Sequence, residues 1–316
     1  MGVTFVGRDV RVRVPATSAN LGPGFDSLGL ALSLYDDVSA RVDAGGDATV
    51  TVSGEGADEL PDDDRHLVVR AMRAAFARLG VEAPGLAVEC VNRIPQARGL
   101  GSSSAAIVGG IQLARGLVAG GQRLLDDDDA LRLAARLEGH PDNVAPCLLG
   151  GFTIAWTEPT GARAVRLTPA DVVRPTVFVP AHRGLTAEAR AALPEAVPHG
   201  DAAANAGRAA LLVHALTAAP ELLFAATEDR LHQRYRAPGL PATAVLTDRL
   251  RDAGVAAVVS GAGPAVLALT PIPADFEPGI GWERFTLDVP KHGVRIQAET
   301  ALDTPGKAGV AAGRKS

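Results

Sequence analysis

The stretch Ile94 to Gly110, IPQARGLGSSSAAIVGG, constrains the chain more than any other, because it reads as the end of a strand, a glycine turn and the start of a helix. Pro95 stops the apolar run GLAVECVNRI, and the glycine and serine residues after it cannot continue a strand. Ser102 to Leu117 then carries Ile107, Ile111 and Ala114 as an apolar stripe at helical spacing. The first N–H groups of such a helix have no internal partner and its dipole is positive there, so the turn is built to receive an anion. Gly99 and Gly101 let the main chain approach a phosphate closely, and Ser102, Ser103 and Ser104 add hydroxyl donors. No lysine is near: the chain has only Lys291, Lys307 and Lys315.

That absence removes several nucleotide sites. A Walker A loop needs Gly-Lys-Ser or Gly-Lys-Thr, and the dinucleotide fingerprint needs a third glycine that this loop lacks. The His-Arg-Asp and Asp-Phe-Gly triplets of protein kinases do not occur. What remains is a turn with no ligand, or a triphosphate neutralised by main-chain dipoles, a metal ion and arginine. Phosphoryl transfer rests largely on positioning and charge stabilisation, so lysine is common there without being obligatory. Magnesium requires a carboxylate, and Glu138 in ARLEGHPDN is the best placed candidate.

The 316 residues, 47% of them hydrophobic, suffice for one large or two ordinary domains. A net charge of -5 argues against a surface made for nucleic acid. Neither a leader-like start nor an apolar run of about 18 residues is present, so the chain reads as a cytoplasmic protein with no membrane partner. Cys90 and Cys147, without metal-ligand spacing, read as free buried thiols.

Val10, Val12 and Val14 alternate with charged residues as in a strand with one buried face, and TSANLGPGFDS from Thr17 to Ser27 reads as a loop. LGLALSLYDDVSARV and ATVTVSG read as further strands, antiparallel. Leu67 to Leu79 is an amphipathic helix ended by Gly80, and Asp126 to Asp129 cap the next, ALRLAARLEG. GGFTIAW and TVFVP resume strand character, with a domain boundary expected near EPTGAR, giving units 1–162 and 163–316. Helices are expected at Thr186–Leu193, Asp201–Thr217, Pro220–Glu228 and in ATAVLTDRLRDAG. Strands VAAVVS and AVLALT follow around the turn GAGP, and the tail after Ala308 is expected to fray.

Three separated stretches resemble the signature motifs of the GHMP kinase superfamily: VPATSANLGPGFDSLG (Val14–Gly29), PQARGLGSSSAA (Pro95–Ala106) and VSGAGPAVLAL (Val259–Leu269). The form PATSANLGPGFD, with LEGHPDNVAPCLLGGF (Leu137–Phe152), is similar to the homoserine kinases within it. The resemblance runs from about Arg11 to Thr270. It implies a two-domain α+β fold, an N-terminal domain like the second domain of ribosomal protein S5 and a C-terminal ferredoxin-like domain, with ATP between them. It also implies magnesium, L-homoserine as phosphoryl acceptor, a place in threonine biosynthesis and the homodimer that family members often form.

Homoserine is a zwitterion, whose ammonium wants carboxylate or carbonyl acceptors and whose carboxylate wants arginine. The resemblance assigns substrate contacts to Asn20, Asp26, His140, Asp142, Thr186, Arg190 and Arg236, with Asn20, Asp26 and Glu138 closest to the chemistry. Pro95, Arg98, Gly99, Leu100, Gly101 and Ser102 to Ser104 would surround the phosphates, Gly261 and Gly263 would brace that loop, and Ser103 and Glu138 would hold the metal. Taken singly, Asn20 and Asp26 also fit a purely structural role in the turn around Gly22 to Gly24. Arg190 and Arg236 singly fit surface charges, and Asn143 reads as holding its loop. The pattern departs from the family at His66, where Asn-Leu-Val near the adenine is replaced by HLV, and beyond Pro273. A mevalonate-type kinase and a non-catalytic nucleotide-binding regulator on the same fold are the rival functions.

Overall fold

A computed structural model describes residues 4–184 and 186–297, and of Thr186 only its place at a helix start. The Thr186 side chain and the tail after Ala308 therefore lie outside the described residues.

The strands are β1 (Val10–Ala19), β2 (Leu28–Asp43), β3 (Ala48–Gly54), β4 (Gly85–Asn92), β5 (Phe152–Glu158), β6 (Gly161–Leu167), β7 (Thr176–Pro180), β8 (Ala257–Val259), β9 (Val266–Ala268), β10 (Trp282–Thr286) and β11 (Arg295–Gln297). The helices of the first half are α1 (Leu67–Leu79), α2 (Ser102–Leu117), α3 (Gly121–Leu124), α4 (Asp127–Glu138) and α5 (Val144–Leu149). Those of the second half are α6 (Thr186–Ala191), α7 (His199–Thr217), α8 (Leu223–Ala226), α9 (Gln233–Arg236) and α10 (Pro241–Asp252).

Seven strands form the first sheet, in the order β11-β1-β2-β4-β3, with the β5–β6 hairpin attached to β2. In β1 the valines Val10, Val12 and Val14 are buried while Arg11 and Arg13 are exposed, as their alternation predicts. The strand does not stop at Pro15. Its register shifts between Pro15 and Ala16, a bulge that absorbs the missing proline N–H, and it continues fully buried to Ala19. Thr17, Ser18 and Ala19, expected in a loop, are therefore strand residues. A second departure concerns β3, which pairs with β4 in parallel rather than with β2 in an antiparallel hairpin.

Helices α1 and α2 cover this sheet, with Val68, Met72, Phe76, Ile107 and Ile111 in one continuous core. The ends of α1 are set by side chain and main chain: His66 accepts from the Val68 N–H, and Gly80 takes the left-handed conformation after Leu79. Asp126 caps α4 through the Asp129 N–H at 2.8 Å. Cys90 and Cys147 are buried free thiols, and burial pushes the Cys90 thiol up to about 12.

The second sheet runs β10-β7-β9-β8, all antiparallel. Counted along the chain this is fourth, first, third, second, the ferredoxin-like order. No helix lies between β9 and β10, where the full pattern has its second one. The expected boundary between residues 162 and 163 falls inside β6. EPTGAR supplies a turn as anticipated, but the turn closes a hairpin of the first sheet, pairing Glu158 with Gly161 and Phe152 with Leu167. At the other end β11 returns to pair with β1. Neither β10 nor β11 was legible beforehand; both are short, and GWERFT is mostly exposed, with no alternating apolar face. Among the described residues no helix is long and apolar enough to cross a membrane.

Candidate functional site

Three glycine turns meet where the two halves join. In the first, after β1, Asn20, Leu21 and Gly22 all take positive φ, as does Asp26. Asn20 holds the shape: its Nδ2 donates to the Gly261 carbonyl and its Oδ1 accepts from the Asp26 N–H, both at 2.9 Å. The side chain thus ties the first turn to the third and fixes where the Asp26 carboxylate stands.

The second turn leads into α2. Unlike α1 and α4, this helix has no side-chain cap, and its first internal bond runs from the Ala105 N–H to the Gly101 carbonyl. The N–H groups of Ser102, Ser103 and Ser104 precede that bond and form the open end to which an anion is drawn. Gly101 has φ of 69° and faces Thr17, and a Cβ there would stand 2.0 Å from Thr17 Oγ1. Thr17 Oγ1 in turn donates to Asn143 Oδ1 at 2.8 Å.

The third turn, Ser260 to Gly263, braces the second. Ser260 Oγ lies 2.6 Å from the Gly99 carbonyl and 2.8 Å from Ser18 Oγ, and a Cβ on Gly99 would meet the Ser260 carbonyl at 2.2 Å.

The cleft among these turns is lined by Asn20, Asp26, Gly99, Leu100, Gly101, Ser102, Ser103, Glu138, His140, Asp142, Asn143, Arg190, Arg236 and Gly261. Most residues expected at the site are therefore brought together. Pro95, Arg98, Ser104 and Gly263 do not line it. The Arg98 guanidinium points the other way, donating to the carbonyls of Gln96, Pro180 and Ala181. Ser104 is buried and acts through Glu138, while Gly263 lies behind Gly99.

Charge in the cleft is arranged in pairs. Arg190 grips Asp26 with two parallel bonds of 2.9 Å, and this carboxylate holds the guanidinium above its ordinary pKa. Arg236 is buried, which pushes its pKa down, and the neighbouring Arg190 adds to the effect. His140 Nδ1 lies 2.5 Å from the buried Asp142, which raises the imidazole above the usual value of about 6.5. Glu138 Oε1 accepts from Ser103 Oγ at 2.6 Å and Ser104 Oγ at 2.9 Å.

Behind Ser102 and Ser103 a second cavity of about 240 Å³ opens, with a largely apolar lining that includes Val38, Leu60, His66, Leu67 and Val68. The His66 Nδ1 caps α1, so Nε2 carries the hydrogen, and among the described residues it has no partner.

Sequence reasoning missed Thr17, Phe25 and His232. Thr17 was hidden because the Asn, Gly and Pro residues that follow it make the stretch from Thr17 to Ser27 read as a loop. Phe25 packs against Arg190, Arg236 and the His232 ring. His232 stands four residues before Arg236, a spacing that places both on one side of a helical turn and was the available signal.

A four-stranded ferredoxin-like half, a mixed sheet and an uncapped helix start enclosed by three glycine turns define a GHMP small-molecule kinase. Residues 66–151 match the GHMP kinases N terminal domain and residues 208–277 the GHMP kinases C terminal domain. The chain is 55% identical over 308 residues to a homoserine kinase of Streptomyces coelicolor, covering 96% of this chain and 99% of that one. With a homoserine kinase of Streptomyces avermitilis it shares 60% over 268 residues, 85% and 88% of the two chains. Among solved structures, homoserine kinase from Cytophaga hutchinsonii superposes with a TM-score of 0.79 at 26% identity, covering 92% and 97%. Mevalonate kinase from L. major, at 14% identity and a TM-score of 0.62, shares the fold. The chain belongs to the homoserine kinase family.

Proposed function

We infer that this protein is a cytoplasmic homoserine kinase, which transfers the γ-phosphoryl group of ATP to the side-chain hydroxyl of L-homoserine to give O-phospho-L-homoserine. The carrying observation is the two-armed Arg190–Asp26 pair beside the uncapped start of α2. A zwitterionic amino acid supplies a partner for each member of that pair, and a triphosphate suits the helix start.

Asp26 and Asp142 offer acceptors to the ammonium, and Arg190 and Arg236 offer donors to the carboxylate. The main-chain N–H groups of Ser102 to Ser104 receive phosphate oxygens, and the apolar cavity by His66 accommodates the base. Holding the hydroxyl in line with the phosphate supplies most of the rate.

Magnesium fits the oxygens present. Ser103 Oγ and Glu138 are hard ligands, already adjacent, and no cluster of three or more metal-ligating His, Cys, Asp or Glu occurs among the described residues. Magnesium is commonly held in this way, by one or two carboxylates with water and phosphate oxygens completing its shell. When bound it would offset the developing phosphate charge.

Turnover with homoserine, mevalonate, galactose and shikimate, read by coupled ADP release, tests the assignment. Homoserine alone should be phosphorylated efficiently. Preference for mevalonate would select the rival kinase, and ATP binding without turnover on any acceptor would select the non-catalytic regulator.

A further inference from the structure

His232 is fully buried, takes no part in the reaction just described, and lies where two parts of the site join. Its Nε2 is 2.8 Å from the carbonyl of Gly22, and its Nδ1 is 3.1 Å from Arg236 Nη1. A carbonyl only accepts and a guanidinium only donates. One form of the ring satisfies both: neutral, with the hydrogen on Nε2 and the lone pair on Nδ1. Burial, the largest influence on this group, also favours the neutral ring.

The imidazole therefore links the turn that carries Phe25 and Asp26 to the buried arginine of the cleft. Three other bonds depend on the same guanidinium or turn. Arg236 Nε donates to the Ala189 carbonyl at 3.0 Å, one residue before Arg190, and Nη1 reaches the Gly261 carbonyl at 3.3 Å. Asn205 Nδ2 holds the Pro23 carbonyl at 2.8 Å. The Phe25 ring closes the arrangement, 5.2 Å from the His232 ring and 5.4 Å from the Arg236 guanidinium carbon. Among the described residues Arg236 Nη2 makes no hydrogen bond, which leaves it directed by the bonds made at Nε and Nη1.

We propose that His232 is a positioning residue for the amino acid: it sets the spacing between Arg236, which receives the substrate carboxylate, and the Asp26 turn, which receives the ammonium. This rests on the homoserine reading above and adds to it a residue that touches neither substrate nor nucleotide.

The test separates the two hydrogen bonds of the ring. Glutamine can place its amide nitrogen near Nε2 and keep the bond to Gly22, yet offers Arg236 no acceptor at Nδ1. Asparagine can place its carbonyl near Nδ1 and keep Arg236, yet loses Gly22. Losing a hydrogen bond to a charged group corresponds to about a tenfold to hundredfold change. His232→Gln should raise the homoserine KM by that factor with the ATP KM within about twofold, and His232→Asn should recover most of it. Combined with Arg236→Gln, His232→Gln should add little further loss, because both act through one guanidinium.

Equal losses in the Gln and Asn variants, falling on both substrates in proportion to a drop in Tm, would show a merely structural histidine and overturn the proposal; so would an unchanged homoserine KM. If the variants do not fold, ¹⁵N chemical shifts of the wild-type ring decide, since a protonated Nδ1 is incompatible with the role. A wild-type enzyme inactive on homoserine would instead sink the proposed reaction.

Discussion

Gly101 and Gly80 form a natural pair for testing why the phosphate loop contains glycine. Their backbones are the same within a degree, φ 69° and ψ 29° against φ 69° and ψ 30°. Alanine therefore incurs the same left-handed penalty at both, about 1 kcal/mol. The surroundings differ. Nothing lies within 4 Å of a Cβ built on Gly80, whereas on Gly101 it would stand 2.0 Å from Thr17 Oγ1 and 3.2 Å from Asn143 Oδ1. Thr17 is fully buried and bonded to Asn143, so moving its hydroxyl by an ångström or more breaks a buried hydrogen bond, about 1 kcal/mol, and overpacks the site by about 1–3 kcal/mol. Gly80→Ala should then cost about 1 kcal/mol, and Gly101→Ala about 3–5 kcal/mol by urea unfolding. Because Gly101 starts α2, the relief of that overlap also shifts the N–H groups of Ser102 to Ser104. The ATP KM should rise and kcat fall in Gly101→Ala, with both near wild type in Gly80→Ala. Equal stability losses in the two variants would refute the steric part of the reasoning; a Gly101→Ala enzyme with normal ATP kinetics would refute the placement of the phosphates.

Arg190→Ala should raise the homoserine KM by about thirtyfold, about 2 kcal/mol, with ATP binding kept. The low end of the range for charge pairs applies because the two side chains are 44% and 36% exposed; an unchanged KM removes Arg190 from the substrate. Glu138→Gln should lower kcat by about 100-fold and raise the magnesium concentration needed for half-maximal rate, and near-normal turnover would exclude Glu138 from the metal. Asp36 tests a pH effect of definite sign: burial raises its pKa from 3.8 to about 6 although the Arg93 and Ile94 N–H groups both donate to it. Between those values the folded protein holds the extra proton, so this group's contribution falls as pH rises from about 4 to about 6, by about 3 kcal/mol. Asp36→Asn keeps an acceptor oxygen and cannot ionise. Its stability relative to wild type, measured without nucleotide, should improve by about that amount across the window; parallel curves would reject the shift.

Much of the fold could be read directly because its signals are local. The α2 helix, the α1 helix with Gly80 and the Asp126 cap depend on residues within one or two turns of each other. The candidate site was legible through the family resemblance that its motifs carry, and the residues so assigned, Asp26, Glu138, His140, Asp142, Arg190 and Arg236, lie in one cleft. What escaped depends on pairing at long range. Thr17 to Ala19 read as loop from the Asn, Gly and Pro residues beyond them, yet β1 runs on through Pro15 because β2 supplies partners on both sides of the bulge. Strand β3 runs parallel to β4 because α1 carries the chain from one to the other, a choice of partner that its seven residues do not encode. Arg98 sits in the phosphate motif and reads as an anion ligand, but the carbonyls that take its three donors come mainly from Pro180 and Ala181, more than eighty residues away.

That use of Arg98 bears on how a loop without lysine manages charge. The cation within its own motif is spent joining the loop to β7, Ser260 holds the Gly99 carbonyl, and Asn20 ties the first turn to the third. The phosphate loop is thus fixed by both halves before nucleotide arrives, and its positive character comes from oriented main-chain dipoles that need no reorganisation. On the proposed reading, selection among acceptors then falls to the Arg190–Asp26 pair. An entering zwitterion replaces one ion pair by two. A neutral sugar leaves the pair closed on itself, and a monoanion such as mevalonate meets Arg190 and Arg236 but offers the Asp26 carboxylate no cation in return. A site built to pair a group discriminates strongly against a ligand that lacks it. On the proposed reading, the fold shared with mevalonate kinases would supply phosphoryl transfer, and the second ionic end of the substrate, met by Asp26, would supply the choice of amino acid.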